Sequence, residues 1–419
     1  MSTDACGQFQ GWAPRGLVVL PPRESPLPAA EADGLMAIDL RWHEGQITTI
    51  QPLTPSQITA STAPDLLLLP RLVEPHAHLD KAFSWPEAPN REGSYAGALA
   101  ANLQEHQTRT TSSVRARAER ALQQAFCQGL RAIRSHIDSL GPGADCSWDA
   151  LQDAQACWRG RVDLQLVALL PVDHWSTVAG QTLARRVAAA AGFLGGVIVP
   201  PCSGSSTRGA LRQLLTLADQ LGCGIDLHID EAQSGPAEGT LQLLRVLDQN
   251  PVSVPITCSH ASSLALLGPS RLRRVIERMA HHKLQVVALP LTNGWLLGRH
   301  PHRSPLVRPL APIVQLQGGG VRVAVGRDNV QDPWFPGGSF DPLALMAQAL
   351  PLAQLAPWER RGLMPFTTEA SRLMGLPWDG TLQAGAPADL LIIEASGWNE
   401  LLAQPPKRRI VVRGVAQPH

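Results

Sequence analysis

The sequence predicts an α/β fold: a (β/α)8 TIM-like barrel with a small β-sandwich domain formed by both termini. Three observations lead there. Eight short apolar, β-branched runs alternate with stretches of helical period. The two ends of the chain carry strand-like alternation with no helix between the strands. Histidine or aspartate closes five of the eight runs, at the strand ends where barrels of this kind place their chemistry.

The runs are DLLLLPRLVEPHAH (65–78), RAIRSHID (131–138), LQLVALLP (164–171), GGVIVPP (195–201), CGIDLHID (223–230), VPITCSHA (254–261), LQVVALPL (284–291) and VRVAVGRD (321–328). Near-continuous apolar character marks strands buried on both faces, as in a parallel sheet covered by helices. Helices are expected over 98–129, 182–191, 208–221, 239–248, 270–282 and 309–317, from their Ala/Leu/Arg content and period. GLVVLPP and AIDLRWHEGQITTIQPL near the start, and APADLLIIEA and RRIVVRGVAQ near the end, read as antiparallel strands. The expected division is therefore 1–64 and 386–419 for the two parts of the β-sandwich, with the barrel at 65–385 between them.

Composition limits the function. A formal net charge of +1 over 419 residues gives no footprint for nucleic acid or another polyanion. Seven scattered cysteines form no C-x-x-C pair, so a reducing compartment fits better than a disulfide framework. The N-terminus has no basic start leading into an apolar core, and apolar runs are far too short to span a membrane. A cytoplasmic protein without a membrane partner is expected. The zinc motif of the cytidine-type deaminases, H-x-E with P-C-x-x-C, is missing.

The strand ends carry the chemistry. His76 and His78 close the first strand, His228 and Glu231 the fifth, His260 the sixth, Asp328 and Asn329 the eighth. Each has an ordinary alternative. A second H-x-H, His300 to His302, reads as a loop, and an aspartate after a strand is often the N-cap of the next helix. Convergence on one rim outweighs these. Residues i and i+2 share a strand face, so His76 and His78 can bind one ion together. His228 adds a nitrogen and Asp328 a carboxylate, a set suited to one zinc or ferrous ion with a position left for water. Glu231 is placed for proton transfer and His260 to act on the water. Lysine occurs only at 81, 283 and 407, so none ends strand four to bridge two metals. One divalent metal ion per chain is expected.

The ordered set resembles the amidohydrolase superfamily, and within it the cytosine deaminases. EPHAHLDK, HIDE, TCSH, LPLTNGWLLGR and GRDNVQDPWFPGG carry the likeness, which runs from about residue 66 to the C-terminus. The resemblance implies His76, His78, His228 and Asp328 as metal ligands. It implies Glu231 as the acid/base and His260 as the histidine that positions hydroxide; with Asp328 these form the catalytic set. A hydroxide generated at the metal would attack the amine-bearing ring carbon of a cytosine-like heterocycle and release ammonia. Lys81, Val172, Asn329 and Trp334 fall at substrate-recognition positions. Val172 stands where cytosine deaminases have glutamine, and Asn329 where they have a second aspartate. A carboxylate only accepts hydrogen bonds, whereas an amide also donates. The departures therefore fall on recognition of the ring.

Two other readings follow. H-x-H-L-D-K also occurs in relatives that release alkylamines from triazine rings, where Lys81 would contact an oxo group. A non-catalytic metal-retaining protein is the reading of another class; Glu231, His260 and Asp328 together count against it. The resemblance also implies a homo-oligomer with a small heterocyclic substrate.

Overall fold

The computed structural model describes residues 5–20, 32–54, 57, 65–300 and 302–418. It divides into two compact units. One comprises Met1–Val73, Gln124–Arg131 and Asp341–His419, the other Glu74–Gln123 and Ala132–Phe340.

The larger sheet has eight strands in sequential order. They are β1 (Leu72–Ala77), β2 (Leu130–Asp138), β3 (Asp163–Leu169), β4 (Phe193–Ile198), β5 (Gly224–Ile229), β6 (Ile256–His260), β7 (Gln285–Ala288) and β8 (Arg322–Val325). Neighbours pair in parallel, as at Val197, His228 and Ser259 across β4, β5 and β6. The ring closes where Ala77 bridges Asp328, and the Asp328 N–H donates to His76 O at 2.9 Å. This is the (β/α)8 barrel. The paired glycines of β4 have a steric reason: a Cβ on Gly195 would lie 2.3 Å from Ala168 O.

Helices stand between the strands. The expected single helix over 98–129 is two: α1 (Tyr95–Thr108) and α2 (Thr111–Cys127). Ser94 caps α1 by accepting from Gly97 N at 3.0 Å. The chain leaves the helical region at Arg109, whose side chain is taken up by buried carboxylates. A further helix, α3 (Ala144–Trp158), buries Trp148, Leu151, Ala154 and Trp158 along one stripe. After β7 a short helix, Pro290–Leu296, forms from LPLTNGW. The helix expected over 309–317 begins only at Ile313, after Pro309 and Pro312, and runs to Gly318.

The smaller sheet takes strands from both ends of the chain. Its order is Val415–Ala416, Arg408–Val412, Leu390–Ile393, Leu67–Pro70, Gly7–Pro14, Leu35–His43 and Gln46–Pro52. Its pairs are antiparallel except at Trp12 and Leu67, which pair in parallel. The apolar run 65–78 is thus two strands, one in each sheet. GLVVLPP is not a strand: Arg15–Leu17 make a 3-10 turn and Val18 a single bridge to Leu382, while Pro21 and Pro22 lie outside the described residues. The strand is GQFQGWAP before it, and it ends at Pro14. Phe9, Ile38, Leu40, Trp42, Leu68, Leu390 and Ile392 fill the core of this sheet.

Candidate active site

The C-terminal ends of the barrel strands gather imidazoles and carboxylates around one point. His76 and His78 leave β1 on one face. His78 Nε2 lies 3.1 Å from Asp328 Oδ1, and His76 Nε2 lies 3.5 Å from the same oxygen. His78 Nε2 is 3.5 Å from His228 Nε2. Ligand atoms of His76, His78 and His228 fall within 4.8 Å of one another, as do those of His76, His260 and Asp328. All five residues are buried. His76 Nε2 and both carboxylate oxygens of Asp328 have no good hydrogen-bond partner. Buried polar atoms are ordinarily satisfied, and a converging orphan set is what a cation would satisfy. Three imidazoles and one carboxylate fit a zinc or ferrous ion.

Below this set the barrel interior is polar, and a chain of hydrogen bonds runs through it. His76 Nδ1 is 2.9 Å from Ser259 Oγ, which donates to Asp226 Oδ1 at 2.7 Å. Arg134 donates to the other Asp226 oxygen at 2.8 Å. With Ser259 donating to Asp226, its oxygen accepts from His76 Nδ1–H, which leaves the His76 Nε2 lone pair facing the site. His136 stacks on His76 with ring centroids 3.8 Å apart, and neither of its ring nitrogens is hydrogen-bonded. Asp230, His260 and Asp328 have φ of 56°, 71° and 70°. Such left-handed, non-glycine positions at the site are strained, at about 1–3 kcal/mol each, and turn the chain sharply off each strand.

Glu231 and His260 meet through a residue that the strand ends do not name. Asn293 Nδ2 donates to Glu231 Oε1 at 3.3 Å and to His260 Nδ1 at 2.9 Å. His260 Nδ1 is therefore an acceptor and the proton of the neutral ring sits on Nε2, which has no partner. Burial first, and then the Asp328 charge, push the Glu231 carboxyl well above the usual carboxylate range. Burial also holds His260 down, to about 4.

His78, His228, Glu231, His260 and Asp328 line a cavity of about 360 Å³ within the barrel unit, the size of a small-molecule site. Lys81 is buried in its wall and donates to Asp138 Oδ1 at 2.6 Å. Burial opposes the Lys81 charge, and Asp138 and Asp80 outweigh it, so its pKa stays above that of a free lysine. Burial would raise Asp138, but Lys81 and Arg109 hold it well below the usual carboxylate range. Asn329 lines the cavity and donates to Asp332 Oδ2 at 2.8 Å, which fixes its amide. Trp334 lines the cavity with its ring edge-on to Tyr95, centroids 5.1 Å apart. Val172 differs from its expected place. It is buried beside Gly196, and the wall there is made by Leu170, Pro171 and Val197. His300 and His302 are exposed and lie among neither the grouped ligand atoms nor the cavity lining. Sequence reading gave no role to His136 and did not single out Asn293, or Tyr95, Asn102 and His106 on α1. The LPLTNGW segment and the i, i+4, i+7, i+11 spacing along α1 were the available signals.

Comparison with known proteins agrees with this geometry. The chain is 31% identical to a pterin deaminase of Rhizobium rhizogenes over 386 residues, covering 91% of this chain and 88% of that one. It is 20% identical to an N-isopropylammelide isopropyl amidohydrolase of a Pseudomonas species, covering 83% and 84%. Among solved structures, a 5-methylcytosine deaminase from Klebsiella pneumoniae superposes with a TM-score of 0.79 at 22% identity, over 91% of this chain and 94% of that one. N-isopropylammelide isopropylaminohydrolase from Burkholderia multivorans gives 0.70 at 26%, with the same coverage. The sequence model of the amidohydrolase family matches residues 97–416. With that match over more than half of the chain and 31% identity to the pterin deaminase over 91% of it, the chain belongs to the amidohydrolase family.

Proposed function

We propose that the protein is a metal-dependent hydrolase that removes the exocyclic amine of an amino-substituted N-heterocycle, with a pterin-like ring favoured over cytosine. The observation that carries this reading is the meeting of two sets at one rim of the barrel. One is the converging, unsatisfied set of His76, His78, His228 and Asp328; the other is Glu231 tied to His260 through Asn293. A divalent ion held by the first set would supply a water of lowered pKa as nucleophile. Glu231 gives its proton to a ring nitrogen, then takes a proton from the attacking oxygen and passes it to the departing amine. His260, with its Nε2–H free, donates to the oxygen that becomes bonded to the ring carbon. The C–O bond forms, the C–N bond breaks, and ammonia leaves.

The substrate is argued from the recognition positions. Asn329 presents an amide where cytosine deaminases present a carboxylate, and the wall near Val172 is made by the apolar Leu170, Pro171 and Val197, which offer no side-chain amide to a pyrimidine. The pterin deaminase relative supports a larger ring. Release of an alkylamine from a triazine is the second reading, supported by buried Lys81 and by the two isopropylammelide hydrolases. A non-catalytic role is disfavoured by the retained Glu231–Asn293–His260 arrangement, which metal retention alone does not require.

Gently purified protein is expected to hold about one zinc or iron per chain by elemental analysis. Screened against pterins, aminopyrimidines and aminotriazines, it is expected to release ammonia fastest from pterins. Alkylamine release without ammonia would move the reading to the second one. No tightly held metal, or no amine release from any ring, would overturn both.

A further inference from the structure

Helix α1 forms one wall of the cavity. Tyr95, Leu99, Asn102, Leu103 and His106 all line it, and their spacing puts them on one helical face. Two of these five are polar side chains with a buried, unpartnered atom. His106 is 3% exposed and Asn102 is 6% exposed. His106 Nε2 and Asn102 Oδ1 have no hydrogen-bond partner.

The rest of each side chain is fixed, and that decides what each orphan atom offers. His106 Nδ1 accepts from the Gly143 backbone N–H at 3.1 Å. Burial, and then the Arg109 charge, keep the ring neutral. A neutral imidazole that accepts at Nδ1 carries its hydrogen on Nε2, so the free atom is a donor. Asn102 Nδ2 donates to Asp138 Oδ2 at 3.1 Å, so its free atom is the carbonyl oxygen, an acceptor. The frame behind the pair is rigid. Arg109 at the end of α1 binds Asp80 at 2.9 Å, and Asp80 accepts from the Asp138 N–H at 2.9 Å.

A donor and an acceptor one helical turn apart, both desolvated, match a ligand edge that presents an acceptor and a donor side by side. We propose that Asn102 and His106 are specificity-determining residues that read a lactam or amide edge of the substrate, a C=O adjacent to an N–H. His106 Nε2–H donates to the carbonyl oxygen, and Asn102 Oδ1 accepts from the N–H. Unsatisfied buried groups are costly, so a ring lacking this edge leaves both unpaired and is rejected. Leu99, Leu103 and Leu140 line the same cavity yet stay 44%, 55% and 48% exposed; they provide an apolar mouth for the remainder of a ring system. The inference rests on the amine-removal reading for the identity of the site, but not for its test.

The probes are pterin, whose ring carries a lactam, and 2-aminopteridine, which lacks the oxo group. Binding of both to metal-loaded protein is measured by calorimetry in a Glu231→Gln background, which prevents turnover. Ammonia release is measured in the wild-type background. Asn102→Leu and His106→Phe are each expected to lower the pterin/2-aminopteridine affinity ratio about tenfold, as for loss of one buried hydrogen bond. His106→Gln, which retains an N–H, is expected to restore most of the ratio. Circular dichroism and melting curves check that each variant is folded. An unchanged ratio in folded Asn102→Leu and His106→Phe, or no binding of either ring, overturns the proposal. A ratio that falls as expected without ammonia release by the wild-type protein overturns the deaminase reading and leaves the recognition pair standing.

Discussion

In the seven-stranded sheet, Phe9, Ile38, Leu40, Trp42, Leu68 and Leu390 pack into an apolar core, and Trp42 Nε1 finds Gly414 O at 2.9 Å. At the C-terminal rim of the barrel, His76, His136, His228, His260 and Asp328 are equally buried, yet each keeps a polar atom with no partner. A core optimised only for stability would not retain such groups. The sheet spends its burial on packing. The rim forgoes part of that stabilisation to hold polar atoms ready.

Three substitutions test this contrast, beginning with the largest effect. Glu231→Gln is expected to cut turnover by about 10²–10⁴-fold while metal content and melting temperature stay near those of the wild type. Turnover unchanged in that variant would remove Glu231 from proton transfer. Leu40→Ala, in the sheet core, is expected to do the reverse. It should cost about 2–5 kcal/mol in urea unfolding with kcat per folded molecule unchanged, and a fall in kcat would show that the two regions are not separable in this way.

The smallest effect concerns Asp138. Its folded-state pKa is depressed, so the stability it contributes is present above its unfolded value near ~3.9 and is lost as pH falls below that value. Wild type should exceed Asp138→Asn by about 1.5–3 kcal/mol at neutral pH, the range for hydrogen bonds to a charged group, and the gap should begin to narrow once the pH falls below the unfolded value, continuing to narrow as acid is added. Parallel curves would mean that the Lys81–Asp138 pair is not coupled to folding.

Much of the fold was legible because parallel barrel strands are apolar on both faces and end in polar residues. The run 65–78 misled for the same reason. Leu67–Pro70 and Leu72–Ala77 are buried throughout, so hydrophobicity alone does not reveal that they belong to different sheets. GQFQGWAP was passed over because Gly7 and Gly11 weaken its strand signal. A Cβ at Gly11 would lie 2.8 Å from Leu66 O, which is why glycine is there. At the site, the strand-end residues could be named because their register follows from the period of a strand. Asn293, Asn102 and His106 could not. They sit on helices, where a polar residue ordinarily reads as solvent-facing, and only the closure of the ring turns their faces inward. The splitting of the helix at Arg109 was likewise hidden, because the carboxylates that hold it, Asp80 and Glu105, lie at different distances along the chain.

The bond from Asp328 N–H to His76 O is both the last rung of the barrel and a tie between the first and last members of the histidine–aspartate set. Synthesis makes His76 and His78 early and Asp328 only after nearly the whole barrel has emerged. A ribosome-bound chain that stops short of β8 therefore has an open ring and an incomplete set of side chains. One residue thus completes both the ring and the ligand set, so a barrel that lacks it has neither closure nor the carboxylate beside His76 and His78.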